Sequence, residues 1–443
     1  MKIRPNFQSN LICTFLLLMP GYFVFGQQPK DLNGIDPGRE VNMSNDTIKK
    51  YNGSNPAYHF KGRSFFNKAY FLDSLDLSEA IFDSGSYFSY ACFKDTTSFA
   101  SANFRSTSNF GNATFKKGCS FQDASFTDSS FFQLATFENV VQFTDALFSK
   151  PVNFSGVRFL RNAYFDDVTF TKNAYFDDAT FSRFAKFTNL SFPDSAEMDF
   201  NSAILPDTLD FSQNRSIKRV IDLTTADFTD SGRYNEKNET YTPHQIFLYK
   251  SDISKFHLDY FHFRLLLPDS TLSLTYENVR QKISRDEKDA MYEALLNNFQ
   301  LNGQRESYRK LDIEYQNFKW DQSWARWLKC IPIVWWNFGY DKEFIFLWIA
   351  GLILIFTIIN YFCLDFLTTY VYKVEGIPVN VKSMEPKKAM WYSFVYTSNI
   401  FFRLTLDTER IKFTKIIPTL YFLFIYVMGI LCLGYLANFI VQK

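Results

Sequence analysis

The stretch "NAYFDDVTFTKNAYFDDATF", residues 162–181, states nearly the same eleven-residue phrase twice. Phe165, Phe170, Phe176 and Phe181 fall at alternating steps of five and six residues. Counted outward, the same rhythm runs from Phe60 to Met198 and gives 26 centre positions, of which 24 are Phe. The chain has 53 Phe in all, so nearly half lie in this one register. Two residues before each centre the side chain is usually small: Ala113, Cys119, Ala124, Ser130, Ala135, Val141, Ala146 and Val152 are examples.

A step of five to six residues fits neither the 3.6 period of a helix nor the period of 2 of a plain strand. It fits a solenoid in which each short side of a coil sends one large and one small side chain inward. Rings one coil apart then lie about 4.8 Å from each other, the spacing of neighbouring strands. Two bulky groups per side would overfill the interior. The Asn, Asp, Ser, Thr and Lys between the centres suit corners and a solvated outer face.

Units such as Ala135-Thr136-Phe137-Glu138-Asn139 and Ala179-Thr180-Phe181-Ser182-Arg183 resemble the pentapeptide-repeat family, whose unit is a small residue, a variable one, a central Leu or Phe, and two more. The resemblance covers about a third of the chain. It implies a mainly β fold, a right-handed quadrilateral β-helix. Every second unit here carries one extra residue, which predicts a longer corner on alternate sides and coils of 22 residues. Phe126, Phe137, Phe148, Phe159, Phe165, Phe170, Phe176 and Phe181 are the expected repeat core.

Residues 1–26 read as a signal peptide, with Lys2 and Arg4 ahead of the apolar run Leu11 to Phe25. Residues 27–58 are polar and read as a flexible leader. The repeat spans 59–212, and 213–275 reads as an irregular continuation and cap, because an open coil end is an exposed sheet edge. Residues 276–318 read as a helical hairpin. Ser284 with Glu287 makes a capping box, Met291, Leu295 and Phe299 form one stripe, Gly303 breaks the helix, and Tyr308, Leu311, Tyr315 and Phe318 form a second stripe.

Five of the seven Trp lie at 320, 324, 327, 335 and 336. Trp320, Trp324 and Trp327 follow helical spacing, with Lys319, Arg326 and Lys329 beside them, so 319–343 reads as an amphipathic membrane-interface helix that also takes in Trp335 and Trp336. Phe344 to Leu364 and Ile416 to Val441 are uncharged runs of 21 and 26 residues, long enough to cross a bilayer. Between them, 365–415 reads as a loop with a pore-helix-like segment, Ala389 to Asp407.

That segment and the following span, with Gly429 and Gly434, resemble the pore domain of two-helix potassium-channel-like proteins. The resemblance places the filter at Thr397-Ser398-Asn399-Ile400-Phe401-Phe402-Arg403. Potassium filters use glycines that let carbonyls line the pore, and this stretch has none. Thr397, Ser398 and Asn399 are the clustered polar side chains able to line a path. The 365–415 stretch holds eight basic residues and the 20 residues before the first span hold three, which agrees with an exported repeat domain. A pore loop would then enter from the cytoplasmic side.

The net charge of +1 argues against bulk nucleic-acid attraction. Residues 60–200 hold 16 acidic and 13 basic side chains, far from the acidic balance by which some pentapeptide-repeat proteins mimic DNA. No hydrolase triad, phosphate loop or metal motif stands out, so no enzyme activity and no cofactor are expected. His257 and His262, in "FHLDYFHF", read as parts of an aromatic-rich strand rather than as metal ligands. Cys92 and Cys119 occupy small inward slots and read as buried thiols. The pairs Asp166-Asp167 and Asp177-Asp178 read as solvated corners on opposite sides of the coil rather than a calcium site. The expected function is a membrane-anchored scaffold for a protein or envelope-component partner, with an ion channel as the alternative. The expected partners are membrane lipid, an unknown protein at the solenoid faces, and a second copy through the transmembrane helices. The expected place is a bacterial inner membrane, with two passes and the repeat outside the cytoplasm.

Overall fold

The structure is a computed structural model that describes residues 30–31, 39–49, 58–229, 234–235, 240–267, 283–341, 343–378, 384–402, 411–412 and 414–441. The signal-like segment 1–26 lies outside the described residues. The chain divides into two compact units, Met1–Asp312 and Ile313–Lys443.

In the first unit, strands of two to four residues build four parallel sheets. One coil runs through four faces. In the coil that opens at His59, the first face holds His59–Phe60, the second Ser64–Phe65, the third Tyr70–Phe71 and the fourth Leu75–Asp76. Ile81–Phe82 then lies on His59–Phe60 and opens the next coil. Pairing runs from residue i to i+22, as in Cys92↔Thr114 and Ser108↔Ser130. The four sheets hold six, eight, eight and nine strands in that order of faces. This is a parallel β-solenoid of four sides.

The alternation of five and six has a backbone cause. Residues Lys68, Glu79, Tyr90, Ser101, Asn112 and onward to Asp178 recur every eleven positions with left-handed φ of 54–65°. Each sits at the third place of a tight turn; Ala69 N–H, for example, donates to the Phe66 carbonyl at 3.1 Å. A positive φ at that place marks a type II turn. These turns make the five-residue steps, which leave the second and fourth faces. The six-residue steps carry the extra residue and need no left-handed one.

The interior is four columns of Phe. Phe93 stacks on Phe115 with centroids 4.5 Å apart, and Phe104 on Phe126 at 4.7 Å. The second- and fourth-face columns meet edge to face across the centre, as Phe121 meets Phe132 at 5.4 Å and 88°. Every ladder Phe from Phe88 to Phe187 is at most 1% exposed. Burying each stabilises by roughly 2–3 kcal/mol. The small slots are sealed as well: Ala113, Ala124, Ala135, Val141, Val152 and Ala163 are all 0% exposed.

Three expectations need correction. The leader expected over 27–58 is in part structured: Val41–Asn42 pairs with the second face and Thr47–Lys49 with the third. Met43 and Ile48 are buried at a five-residue step around left-handed Asn45, so the pattern is present with Met and Ile in place of Phe. Met198 does not continue the ring columns. It pairs with Ala174 in a small slot, and Phe200 stacks on Phe176 at 5.3 Å. The third concerns 319–343, described below.

Past Phe200 the fourth face continues through Thr208–Asp210, His244–Phe247 and Phe263–Leu265. Helix α1 (Arg285–Leu301) begins with the Ser284–Glu287 capping box and buries Met291, Leu295 and Phe299. Gly303, at φ 69°, turns the chain into α2 (Arg305–Asp321). Within α2, Leu311 and Tyr315 are buried, whereas Tyr308 and Phe318 are half-buried. Asn298 donates to the Ile253 carbonyl at 2.8 Å, Gln304 to that of Leu258 at 3.0 Å, and the Tyr260 N–H donates to Ser307 at 2.9 Å. These bonds seat the turn between the helices on the end of the solenoid, where a cover is needed.

In the second unit the single Trp-rich helix expected over 319–343 is broken. Helix α2 ends at Asp321, a 3-10 turn spans Arg326–Leu328, and a short helix α3 spans Cys330–Trp336. Asp321 and Ser323 are weak helix formers, and the Ser323 hydroxyl takes the Ala325 N–H at 3.1 Å in place of a helical carbonyl. Pro332 then suits only the first turn of a new helix. Three longer helices follow: α4 (Phe344–Tyr370), α5 (Pro386–Phe402) and α6 (Ile416–Val441). Helix α4 runs six residues past the expected end at Leu364, so the expected 365–415 loop holds its last turns and all of α5.

Candidate functional surfaces and the apolar helices

Among the described residues, α4 and the Ile416–Ala437 part of α6 are the two helical stretches long enough and apolar enough to cross a membrane, and most of each is exposed. Leu347, Leu354, Phe362, Ile417 and Leu420 are each more than 60% exposed. The apolar side chains on these outer flanks have no protein cover among the described residues.

Helix α5 packs between them. The Thr414 hydroxyl donates to the Tyr370 carbonyl at 2.7 Å, so α6 begins beside the end of α4. On α5, Thr397 receives a hydrogen bond from Asn360 of α4 at 2.8 Å, and Tyr421 of α6 donates to Asn360 at 3.1 Å. Further along α5, the Phe401 carbonyl lies against Gly429, where an added Cβ would stand 2.0 Å from its oxygen. Thr397 is thus linked through Asn360 to Tyr421, and Phe401, further along α5, lies against Gly429, further along α6. Helix α5 runs with α6, against α4, and ends beside the middle of α6.

The three polar residues proposed to line a path are placed unequally. Thr397 is fully buried in the bond to Asn360. The Ser398 hydroxyl is buried with no partner among the described groups. Asn399 donates to the Val395 carbonyl at 3.1 Å, one turn back on its own helix. Arg403 and Asp407 lie outside the described residues. Asn360 and Tyr421 were not read as site residues from sequence. Asn360 had a signal, as the one amide within the uncharged run Phe344 to Leu364.

Of the tryptophans expected at a membrane interface, Trp324 and Trp327 are 89% and 70% exposed. Trp335 stacks on Trp348 of α4 at 5.5 Å, parallel to within 2°. Trp320 is half-buried, and the side chain of Trp336 lies outside the described set.

On the solenoid, the aspartate pairs occupy corners. Asp167 and Asp178 are the left-handed residues after the fourth and second faces, on opposite sides. Asp166 is partnered by Lys186 at 2.7 Å and Thr188 at 2.8 Å. Asp123, Asp145 and Asp167 form a column, one per coil. Partial desolvation, then the carboxylates of Asp167, Asp123 and Asp166, hold Asp145 above the usual carboxylate range. His257 pairs with Asp222 at 3.1 Å, and His262 pairs with Asp259 at 2.8 Å while stacking on Phe228. Among the described residues no group of three His, Cys, Asp or Glu is placed to hold a metal. Cys92 and Cys119 are buried thiols, and burial pushes the Cys119 thiol up.

Residues 132–180 match the family model described as "Pentapeptide repeats (9 copies)". Over those residues the four-sided solenoid is similar to pentapeptide repeats, with one extra residue in every second unit. No curated protein and no solved structure matches the chain.

Proposed function

We propose that the protein is a non-enzymatic scaffold, anchored in a bacterial inner membrane by α4 and α6, that displays its solenoid outside the cytoplasm to a protein or envelope component. The observation that carries this reading is the filled interior. With every ladder ring from Phe88 to Phe187 at most 1% exposed, the coil offers no cavity for chemistry, and its outer faces are what remain for function. The uncovered apolar flanks of α4 and α6 support insertion in lipid, because surfaces of this kind are costly in water. Exposed Trp324 and Trp327 suit the interfacial region, where tryptophan collects. The excess of basic residues between the two spans supports the outward orientation.

A second reading, an ion channel, is favoured by one observation. Helix α5 has 17 residues against 26 in α6 and ends beside mid-α6, so its carbonyl end would lie deep in the bilayer. Against it stands the absence of glycine from Thr397 to Asp407. Crosslinking in intact cells followed by purification tests the scaffold: a specific partner held through the solenoid is expected. Purified protein in planar bilayers tests the channel. Reproducible potassium currents abolished by Asn399→Leu would contradict the scaffold reading.

A further inference from the structure

The outward side chains of the second face follow a rule that the fold does not require. The scaffold repeats every coil, yet over the five coils from Tyr87 to Tyr175 this face alternates; ahead of that stretch Phe65 stacks on Tyr87 at 5.1 Å, and Asp199 follows it. Outward positions read Tyr87, Asn109, Phe131, Asn153, Tyr175, one per coil. The left-handed corner beside them reads Tyr90, Asn112, Leu134, Gly156. Bulky pairs, Tyr87 with Tyr90 and Phe131 with Leu134, therefore alternate with coils carrying Asn or Gly. The ridges stand about 9.6 Å apart, two strand spacings.

Two further observations mark this surface. Tyr90 and Leu134 hold φ of 59° while 51% and 40% exposed. The equivalent corners of the fourth face carry Ser101, Asp123, Asp145, Asp167 and Asn189, mostly residues that take this conformation readily. A bulky residue there is a strain that packing does not repay, and strain of this kind collects at functional surfaces. Gly156 adds to the effect: Leu134 Cδ2 lies 2.8 Å from where a Cβ would stand, so glycine lets Leu134 lie across the next corner. Second, no residue on this face or its left-handed corner is charged from Tyr87 to Gly156; Asp177 and Asp178 stand only at the last coil, beside Tyr175, whereas the opposite side carries the aspartate column.

Between the ridges, Asn109 Oδ1 accepts the Gly111 N–H and Asn153 Oδ1 accepts the Ser155 N–H, both at 2.8 Å. Their Nδ2 hydrogens have no acceptor among the described groups. The surface thus presents apolar ridges with amide donors in the furrows.

We propose that the second face binds an extended, uncharged β-1,4-linked glycan lying along the solenoid axis. Such a chain repeats by the disaccharide, because successive sugars face opposite ways, and a two-coil step is of that length. Sugar C–H faces lie on the ridges, and hydroxyl or ring oxygens accept from Asn109 and Asn153. An anionic polymer finds no cation here. A second copy of this chain would set donors against donors. The patch, about 24 Å by 12 Å over five coils, is also far below the ~800 Å² per partner of a stable protein interface. The proposal rests on the scaffold reading and names the partner class.

The test uses the full chain in detergent micelles, sedimented with microcrystalline cellulose and with chitin particles. Wild type is expected to co-sediment with one or both, and equally at low and high salt, since no charge is involved. Tyr87→Ala/Phe131→Ala/Tyr175→Ala is expected to lower retention about tenfold or more, the factor that 1.4 kcal/mol carries. Ser98→Ala/Ser120→Ala/Gln142→Ala, on the fourth face, keeps it. If the triple aromatic variant loses its melting transition, Asn109→Leu/Asn153→Leu takes its place, with the same loss expected. Absent binding to both polymers, equal retention by the variants, or retention lost with salt would overturn the proposal. A protein crosslinked to the solenoid despite such a result would leave the scaffold reading standing.

Discussion

The rings of Phe165 and Phe187 lie 4.8 Å apart and parallel to within 6°, while Phe165 meets Phe176 at 5.4 Å and 90°. One ring thus joins its own column and the column across the coil. Phe165→Ala removes both contacts and leaves a hole that neighbours locked in rotamers cannot fill. The expected cost is ~3–5 kcal/mol. Thr169→Ser, at a half-buried outward position, is expected to change stability by less than ~0.5 kcal/mol. Thermal denaturation of both variants checks this, and equal shifts would mean that the inward register is wrong.

The aspartate column gives a pH dependence with a definite sign. The folded state raises the Asp145 carboxyl above its unfolded value, through desolvation and then Asp167, Asp123 and Asp166. A raised carboxyl costs nothing while protonated, and the cost develops as pH rises through its titration. Asp145→Asn keeps a residue that tolerates φ of 59° and removes the charge. The variant is expected to melt above wild type at pH 7. The gain should shrink in high salt and vanish near pH 3, in melting curves recorded across that range.

The solenoid was legible because its period is enforced by packing. Each inward slot admits one ring, so Phe60 to Phe187 could be placed by counting. The turns were legible only in part. Asn112, Asp123 and Asp145 announce a left-handed corner, whereas Tyr90 and Leu134 do not. The register failed where its chemistry changed: Met43 and Ile48 replace Phe at the start, and Phe200 takes the ring column that counting gave to Met198. The polar site was half visible. Thr397 stood out as part of a polar cluster, but its partner Asn360 lies 37 residues away, and Tyr421, which donates to Asn360, lies 61 residues from that amide, distances that only helix packing closes. The Trp segment misled because helical spacing was read through Asp321 to Ser323, where the backbone leaves the helix.

Gly429 sets how closely α6 approaches α5. An added methyl would meet the Phe401 carbonyl oxygen at 2.0 Å, and that oxygen is backbone. Gly429→Ala is expected to force the helices apart at a cost of ~1–3 kcal/mol. Gly434→Ala, with nothing within 4 Å of the new carbon, is expected to be neutral. Unfolding in detergent, followed by tryptophan fluorescence, compares the two.

The central claim, a solenoid held outside the cytoplasm by two membrane helices, is tested most directly by topology. Alkaline phosphatase fused after Ser212 reports export. A cysteine at exposed Glu385, in a chain whose Cys330 and Cys363 are replaced by serine, reports the far side through an impermeant thiol reagent on intact spheroplasts. The account predicts an active phosphatase and an unlabelled Glu385→Cys that labels once the membrane is opened. An inactive fusion together with labelling in intact spheroplasts would put the solenoid in the cytoplasm and contradict the account.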